Sequence, residues 1–417
     1  MPERDRSRVV LAMVGLPARG KSYIARKVAR YLSWLGHKTR VFNVGSYRRA
    51  RVGSRQPNEF FNPDNEAGRT ALHDLAMSAL DDLFDWFEDG GEVGIYDATN
   101  STKSRRRVVE ARCREQGIPV VFIESICHDP QVIDANVRET KLSMPDYMGM
   151  DPVEAVSDFR ARIAHYERVY DPLDDTDGSY IKIIDVGQKV VMNRMNGYLP
   201  GRLVPLLINL HLTPRPIWLT RHGESAFNVL GIIGGDADLS PAGEEYAQSL
   251  ARFVEGRVPP GEHVTVWTSS LRRTIQTAHP FTDKPLTFRA LDEIDAGVCD
   301  GMTYEQIREQ MPDAFAARRT DKFRYRYPRG ESYEDVIQRV DPMIIQLERQ
   351  RQPVLLIGHQ AVLRAIYAYL MDRPPNECPR LEIPLHTVIQ LTPTAYGCKE
   401  ERFALPPLIE ERPSNPV

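Results

Sequence analysis

A chain of 417 residues exceeds what one ordinary hydrophobic core needs, and at about 100–200 residues per domain two folding units are expected. Its 54 basic and 57 acidic residues leave a net charge of -3, so no overall field draws it to nucleic acid or to an anionic membrane, and any phosphate must be held locally. Five cysteines (Cys113, Cys127, Cys299, Cys378, Cys398) without a C-x-x-C pair argue against a disulfide framework or a zinc site and point to a reducing cytoplasm.

Met1–Arg8 is charged instead of apolar, and the longest apolar stretch, near Leu203–Leu212, covers only about half a membrane span, so neither signal peptide nor membrane anchor is expected. Val9–Val14 is an apolar run that ends in glycine, followed by a helical pattern over Ser22–Leu35 and a second apolar run, Thr39–Val44. The alternation continues with helix Ala67–Phe87, strand Glu92–Tyr96, helix Lys103–Gln116, strand Pro119–Ile126, a long helical stretch to Tyr170, and strand Tyr180–Val186. Strands alternating with helices predict an α/β unit built on a parallel sheet covered on both faces.

Between the first strand and helix, Gly15-Leu16-Pro17-Ala18-Arg19-Gly20-Lys21-Ser22 fits G-x-x-x-x-G-K-[ST], the P-loop spacing. Glycines let the loop curl its N–H groups inward, the helix N-terminus adds positive potential, Lys21 reaches terminal phosphates, and the Ser22 hydroxyl can hold Mg²⁺. Asp97, just past a strand in Tyr96-Asp97-Ala98-Thr99-Asn100, is the candidate partner acid, with Thr99 or Asn100 expected to cap the following helix. The loop Tyr47–Arg51 offers guanidinium groups to an acceptor phosphate.

Thr213-Pro214-Arg215-Pro216 punctuates the chain, and a domain boundary is placed there, giving units 1–212 and 213–417. A second α/β pattern follows, with strands Ile217–Thr220, Val264–Thr268 and Val354–Ile357 and helices near Gly243–Val254, Thr303–Gln310 and Tyr333–Gln350. Arg221-His222-Gly223 and Gly358-His359 each follow a strand, where open α/β sheets place ligands. Two histidines, Arg221, a strand-end arginine at Arg273 and an acid at Glu293 suit phosphoryl transfer through a histidine, without a metal, Glu293 protonating the leaving alcohol. Arg324-Tyr325-Arg326-Tyr327 invites a base-stacking reading, but it is isolated in a nearly neutral chain, so a substrate contact or structural strand is expected. The tail from Glu400, rich in proline and charge, is expected to be loosely held.

The two sites in this order resemble the 6-phosphofructo-2-kinase/fructose-2,6-bisphosphatase family, a P-loop kinase fused to a histidine phosphatase of phosphoglycerate mutase-like fold. The matching stretches include Gly15–Tyr23, Asp97–Asn100, Phe122–Cys127, Tyr180–Val186, Arg221–Ser225, Glu293–Cys299, Tyr325–Tyr333 and His359–Arg364. The resemblance implies ATP, Mg²⁺ and fructose 6-phosphate for the kinase, with hydrolysis of the 2-phosphate through a phosphohistidine in the other domain. It also implies small-molecule partners, no nucleic acid or membrane, and leaves room for a homodimer.

Carried over residue by residue, Gly15–Tyr23 with Asn136 and Lys141 would bind ATP, Ser22 and Asp97 would hold the metal, and Asp97 and Cys127 would lie at the kinase chemistry. Fructose 6-phosphate would meet Arg48, Thr99, Arg105, Lys141, Arg162 and Tyr166. His222 would be the phosphatase nucleophile, surrounded by Arg221, Asn228, Arg273 and His359, with Glu293 as acid. Gly234, Tyr304, Arg318, Lys322, Tyr333, Gln360 and Arg364 would hold the rest of the bisphosphate.

The chain departs from the family at Leu72 and Ile232, where arginines are usual; Arg69, one turn before Leu72, is the candidate replacement. The extensions through which animal enzymes are phosphorylated have no counterpart, so that control is not expected. Motif physics supports two chemistries and their order, while the shared sugar comes from the resemblance. A kinase/phosphatase pair for another sugar phosphate is the alternative, as is a sensor with one domain inactive, although Lys21, Asp97, His222, Glu293 and His359 together speak against the latter.

Overall fold

Val9–Val14 (β1) is buried at all six positions because it lies between two parallel neighbours in a computed structural model that describes residues 8–141, 144–211, 215–258, 261–394 and 397–408. Contacts separate two units, Met1–His211 and Leu212–Val417. The Thr213-Pro214 boundary signal lies outside the described residues.

The first unit continues with α1 (Lys21–Trp34), β2 (Thr39–Asn43), α2 (Val44–Val52), α3 (Glu66–Glu88), β3 (Val93–Asp97), α4 (Lys103–Glu115), β4 (Val120–Ile126), α5 (Pro130–Ala135), α6 (Pro152–Glu167), β5 (Tyr180–Ile184), β6 (Lys189–Asn193) and α7 (Tyr198–Asn209). The strand order is β2-β3-β1-β4-β5-β6, and β2 through β5 run parallel. Three expectations need correction. The sheet is mixed, because β6 returns antiparallel to β5 through a turn in which Gln188 N–H bonds Asp185 O and the two central residues, Val186 and Gly187, take φ of 55° and 85°. The segment Tyr47–Arg51 is not a loop but part of α2, whose first turn is capped by Asn43 Oδ1 accepting from Ser46 N–H at 3.0 Å. The helical stretch to Tyr170 is broken after a π-type turn at Asn136–Lys141, and α6 starts afresh at Pro152 with Asp151 as its cap.

In the second unit come β7 (Ile217–Arg221), α8 (Ala226–Leu230), α9 (Pro241–Glu255), β8 (Thr265–Thr268), α10 (Arg272–Ala278), β9 (Leu286–Thr287), α11 (Tyr304–Gln310), α12 (Pro312–Thr320), α13 (Tyr333–Arg349), β10 (Val354–Gly358), α14 (Gln360–Leu370), β11 (Thr387–Thr394) and β12 (Gly397–Ala404). They form the sheet β12-β11-β7-β10-β8-β9 over a core that includes Trp218, Tyr246, Leu250, Leu355 and Ile357. β7 and β10 are adjacent and parallel, with Gly358 opposite Arg221, so the residues after them, His222 and His359, emerge side by side. The predicted loose tail is corrected in part: Glu400 lies within β12, which pairs with β11 from Gly397 to Ala404 and closes that edge. Arg324–Tyr327 is not a strand; Tyr327 is buried in a small core with Ala296, Cys299 and Ile307.

Candidate active sites

Backbone conformation makes the first anion cradle. Gly15, Ala18 and Gly20 all take positive φ (133°, 58° and 83°), which turns the loop back on itself ahead of α1. Only glycine fits at position 15, where a Cβ would meet Ser125 O at 2.6 Å. Neighbouring elements pin the loop at three points: Gly15 N–H donates to Thr99 O at 2.9 Å, Ser125 Oγ–H to Arg19 O, and Asn136 Nδ2 to Ala18 O at 3.1 Å. Lys21 Nζ donates to Leu16 O across the loop. The Thr99 bond joins the cradle to the strand end that carries Asp97.

Asp97 is buried at the end of β3, where Asn43 Nδ2 donates to its Oδ2. Asn43 thus caps α2 with its oxygen and orients Asp97 with its nitrogen, a double use that becomes visible only when Asn43 is placed opposite Asp97 in the sheet register. The cap of α4 is Thr102, not Thr99 or Asn100; Asn100 sits at φ 42° with its amide donating to Met13 O at 2.8 Å, so it ties β1 to β3 instead. Burial raises the Cys127 thiol above its ordinary value, so it stays protonated near neutral pH beside the guanidinium of Arg19. Tyr23, in the first turn of α1, donates to His211 O at 2.9 Å.

Further along the same sheet edge, guanidinium groups gather around Phe61, which the sequence reading overlooked. Arg162 stacks 3.6 Å from the ring centroid, Arg48 lies 5.5 Å from it, and the Tyr166 ring is 6.5 Å away. Arg48 is only 2% exposed and is fixed by Asp146 at 2.6 Å. Arg48 Nε, Arg105 Nη1 and Arg162 Nε are all buried with no hydrogen-bond partner among the described residues. Unsatisfied buried donors are costly, so three of them in one region mark a place for an anionic ligand. Leu72 is half-buried and Arg69 exposed; the side chain of Lys141 lies outside the described residues.

In the second unit the hydrogen bonds fix a tautomer. A carbonyl can only accept, so the contact of His222 Nδ1 with Gly223 O at 2.7 Å puts the proton on Nδ1. Arg273 Nε, which can only donate, lies 3.1 Å from Nε2 and therefore finds a lone pair there. Burial, with Arg273 and Arg221 adding positive charge, pushes His222 well below its ordinary value. His359, fully buried, is lowered in the same way, and its ring centroid is 5.1 Å from that of His222. Ser269 holds its Nε2 at 2.7 Å, while Nδ1 has no partner among the described residues. Glu293 accepts from the N–H of Ala361, in the first turn of α14, at 3.1 Å.

The remaining candidates form a cationic flank. Arg318 Nη2 donates to Tyr304 Oη at 3.0 Å and its Nε to Tyr327 Oη at 2.9 Å, while Arg364 donates to Leu381 O at 2.6 Å and to Tyr333 Oη at 3.2 Å. Burial, reinforced by Arg318 and Arg364, lowers Lys322 to about 8, and burial raises Tyr333 to about 12. Asn228 Oδ1 closes the capping box of α8, leaving its NH₂ for an anion, and at Gly234 (φ 74°) a Cβ would fall 1.6 Å from Asp300 Oδ1. Gln360 opens α14 beside His359, and Ile232 is half-buried with its N–H on Phe227 O at 2.9 Å. The sequence reading missed Ser269 and His386; the latter accepts from Glu224 N–H at 3.0 Å, two residues after His222, and stacks on Tyr246 at 4.3 Å.

The depressed histidines carry a stability signature. An unfolded chain takes up these protons near pH 6.5 while the folded one resists, so stability is fully present above 6.5 and declines as pH falls below it, with a limiting slope of about 1.4 kcal/mol per pH unit per histidine. Urea unfolding between pH 7.5 and 5.5 should therefore show a shallower decline for H222Q/H359Q than for the parent. An unchanged slope would refute the buried neutral pair.

Residues 1–214 match the family model described as 6-phosphofructo-2-kinase, and residues 217–405 match histidine phosphatase superfamily (branch 1). A 6-phosphofructo-2-kinase/fructose-2,6-bisphosphatase of Arabidopsis thaliana is 50% identical over 414 residues, which cover 97% of this chain but 55% of that protein. The protein of that description from Gallus gallus is 49% identical, covering 97% of this chain and 86% of its own, and 6-phosphofructo-2-kinase/fructose-2,6-bisphosphatase 4 of Homo sapiens is 50% identical, covering 95% and 85%.

Proposed function

This chain belongs to the bifunctional 6-phosphofructo-2-kinase/fructose-2,6-bisphosphatase family, and from that premise we propose how its residues divide two opposed reactions. The first unit transfers the γ-phosphoryl group of ATP to fructose 6-phosphate. The second hydrolyses the resulting fructose 2,6-bisphosphate at the same position. The reading rests above all on one observation: His222 is held as the Nδ1–H tautomer with its Nε2 lone pair against Arg273, in a chain that also carries a P-loop.

In the kinase unit, the loop Gly15–Ser22, with Asn136 and Lys141, cradles the ATP phosphates, and Lys21 follows the charge onto the transferred group. Arg48, Arg105 and Arg162 direct their unsatisfied donors at the 6-phosphate, with Thr99 and Tyr166 beside the sugar. Three guanidinium groups are enough for one phosphate dianion, so the site can work with a leucine at Leu72. The Ser22 hydroxyl and the Asp97 carboxylate would hold Mg²⁺; no cluster of three His, Cys, Asp or Glu occurs among the described residues, and this sparse set suits an ion that keeps its waters and leans on nucleotide oxygens. Bound there, it would offset the charge of the phosphates.

In the phosphatase unit, His222 Nε2 attacks the 2-phosphoryl group, forming an N–P bond as the P–O bond to the sugar breaks. The leaving oxygen takes its proton from Glu293. Water then attacks phosphorus, giving its proton to the Glu293 carboxylate, and the N–P bond breaks to release phosphate. Arg221, Asn228, Arg273 and His359 hold the phosphoryl oxygens, while Gly234, Tyr304, Arg318, Lys322, Tyr333, Gln360 and Arg364 hold the sugar and its second phosphate. No helix among the described residues is long and apolar enough to cross a membrane, and cysteine usage supports a cytoplasmic setting. The reading is tested by assaying the purified chain with ATP plus fructose 6-phosphate and, separately, with fructose 2,6-bisphosphate. Turnover in both directions is expected; preference for a different sugar phosphate in both would overturn the substrate assignment.

A further inference from the structure

Glu293 can protonate a leaving group only if its carboxylate is held at one place, yet it stands on an irregular segment between two 3₁₀ turns, Arg289–Leu291 and Gly297–Cys299. Such a segment has no ladder of its own, so its carbonyls must find partners elsewhere. They find one side chain. Arg339, projecting from α13, donates through Nη1 to Ala290 O at 2.8 Å and Asp292 O at 2.9 Å, and through Nη2 lies 3.4 Å from Glu293 O.

The guanidinium is in turn held bidentately by Glu331, with Nε and Nη2 each 2.8 Å from a carboxylate oxygen. Glu331 completes a closed circuit: its Oε2 accepts from Asp295 N–H at 3.0 Å and its own N–H donates to Asp295 O at 2.9 Å. The residues on both sides of Glu293 are therefore fixed to α13 and the turn before it. Both side chains are mostly buried, at 23% and 20% exposure, so the pair is shielded from the screening that makes surface ion pairs weak.

We infer that Arg339, oriented by Glu331, is a positioning residue for the general acid of the phosphatase. It touches no reacting atom; it sets where the Glu293 carboxylate stands relative to the oxygen that leaves. A planar fork suits this task, since only a guanidinium can reach three carbonyls and a carboxylate at once. The inference rests on the assignment of Glu293 as the acid.

A role through proton donation has a signature that a role in folding lacks. Fructose leaves as a poor leaving group that needs a proton, whereas 4-nitrophenolate leaves without one. In the full chain, R339Q should slow transfer of the labelled 2-phosphate from fructose 2,6-bisphosphate to His222 by about ten- to hundredfold in a single turnover, while the burst of 4-nitrophenolate that accompanies the same transfer from 4-nitrophenyl phosphate slows by no more than about threefold. Hydrolysis of the phosphohistidine, in which Glu293 acts as base, is common to both esters and follows the step compared. Added to E293Q, R339Q should slow transfer from fructose 2,6-bisphosphate no further. Equal slowing of transfer from both esters, or additive slowing in the E293Q background, would overturn the inference. If R339Q does not fold, E331Q, which leaves the carbonyl bonds of Arg339 in place, decides by the same two criteria with a smaller expected loss. If E293Q itself slows transfer from both esters equally, the acid assignment is what has failed.

Discussion

His222→Ala is expected to abolish hydrolysis of fructose 2,6-bisphosphate, by at least ~10³-fold, while ATP-dependent synthesis continues. The size follows from the residue's place in the reaction: removing a covalent nucleophile costs far more than removing one phosphate contact. The route is fixed by hydrogen bonds that admit one reading, since the Gly223 carbonyl can accept only from Nδ1–H and Arg273 can donate only to Nε2. Substrate labelled at the 2-phosphate should leave acid-labile, base-stable label on the parent and none on H222A. H359Q should still be labelled, more slowly, because His359 steadies the phosphoryl group without forming the bond. Label persisting in H222A, or absent from active parent enzyme, would rule out the phosphohistidine.

The alternation of apolar runs and helical periods made both sheets legible in sequence, and the P-loop and Arg-His-Gly motifs gave the chemistry because each packs its function into consecutive residues. What stayed hidden depends on register or on distant contacts. The turn at Val186-Gly187 lacks an Asn-Gly signal, so nothing after strand Tyr180–Val186 announced the returning strand β6. Tail composition suggested looseness, but β12 survives because every residue from Gly397 to Ala404 has a partner on β11. Asn43 looks like an ordinary cap until the register sets it opposite Asp97, and Phe61 like a core residue until Arg48 and Arg162 are seen around its ring. Arg339, 46 residues from Glu293, carries no motif at all.

Lys21→Ala should lower ATP-dependent synthesis of fructose 2,6-bisphosphate by at least about a hundredfold and leave hydrolysis within about twofold. In the structure the Lys21 ammonium crosses its own loop to Leu16 O, so the charge already lies over the curled backbone where terminal phosphates are placed. The loop conformation itself is set by Gly15, Gly20 and the bonds from Thr99, Ser125 and Asn136, none of which involves the lysine side chain. Alanine should therefore keep the cradle and remove the charge, so kcat falls more than ATP affinity. K21R would restore the charge on a longer, planar group that matches the loop poorly, and only partial recovery is expected. Because Lys21 and His222 belong to different units, K21A and H222A should each leave a single activity, and a mixture of the two variants should regain both. Parallel loss of synthesis and hydrolysis in K21A would mean that the two chemistries do not run at separate sites.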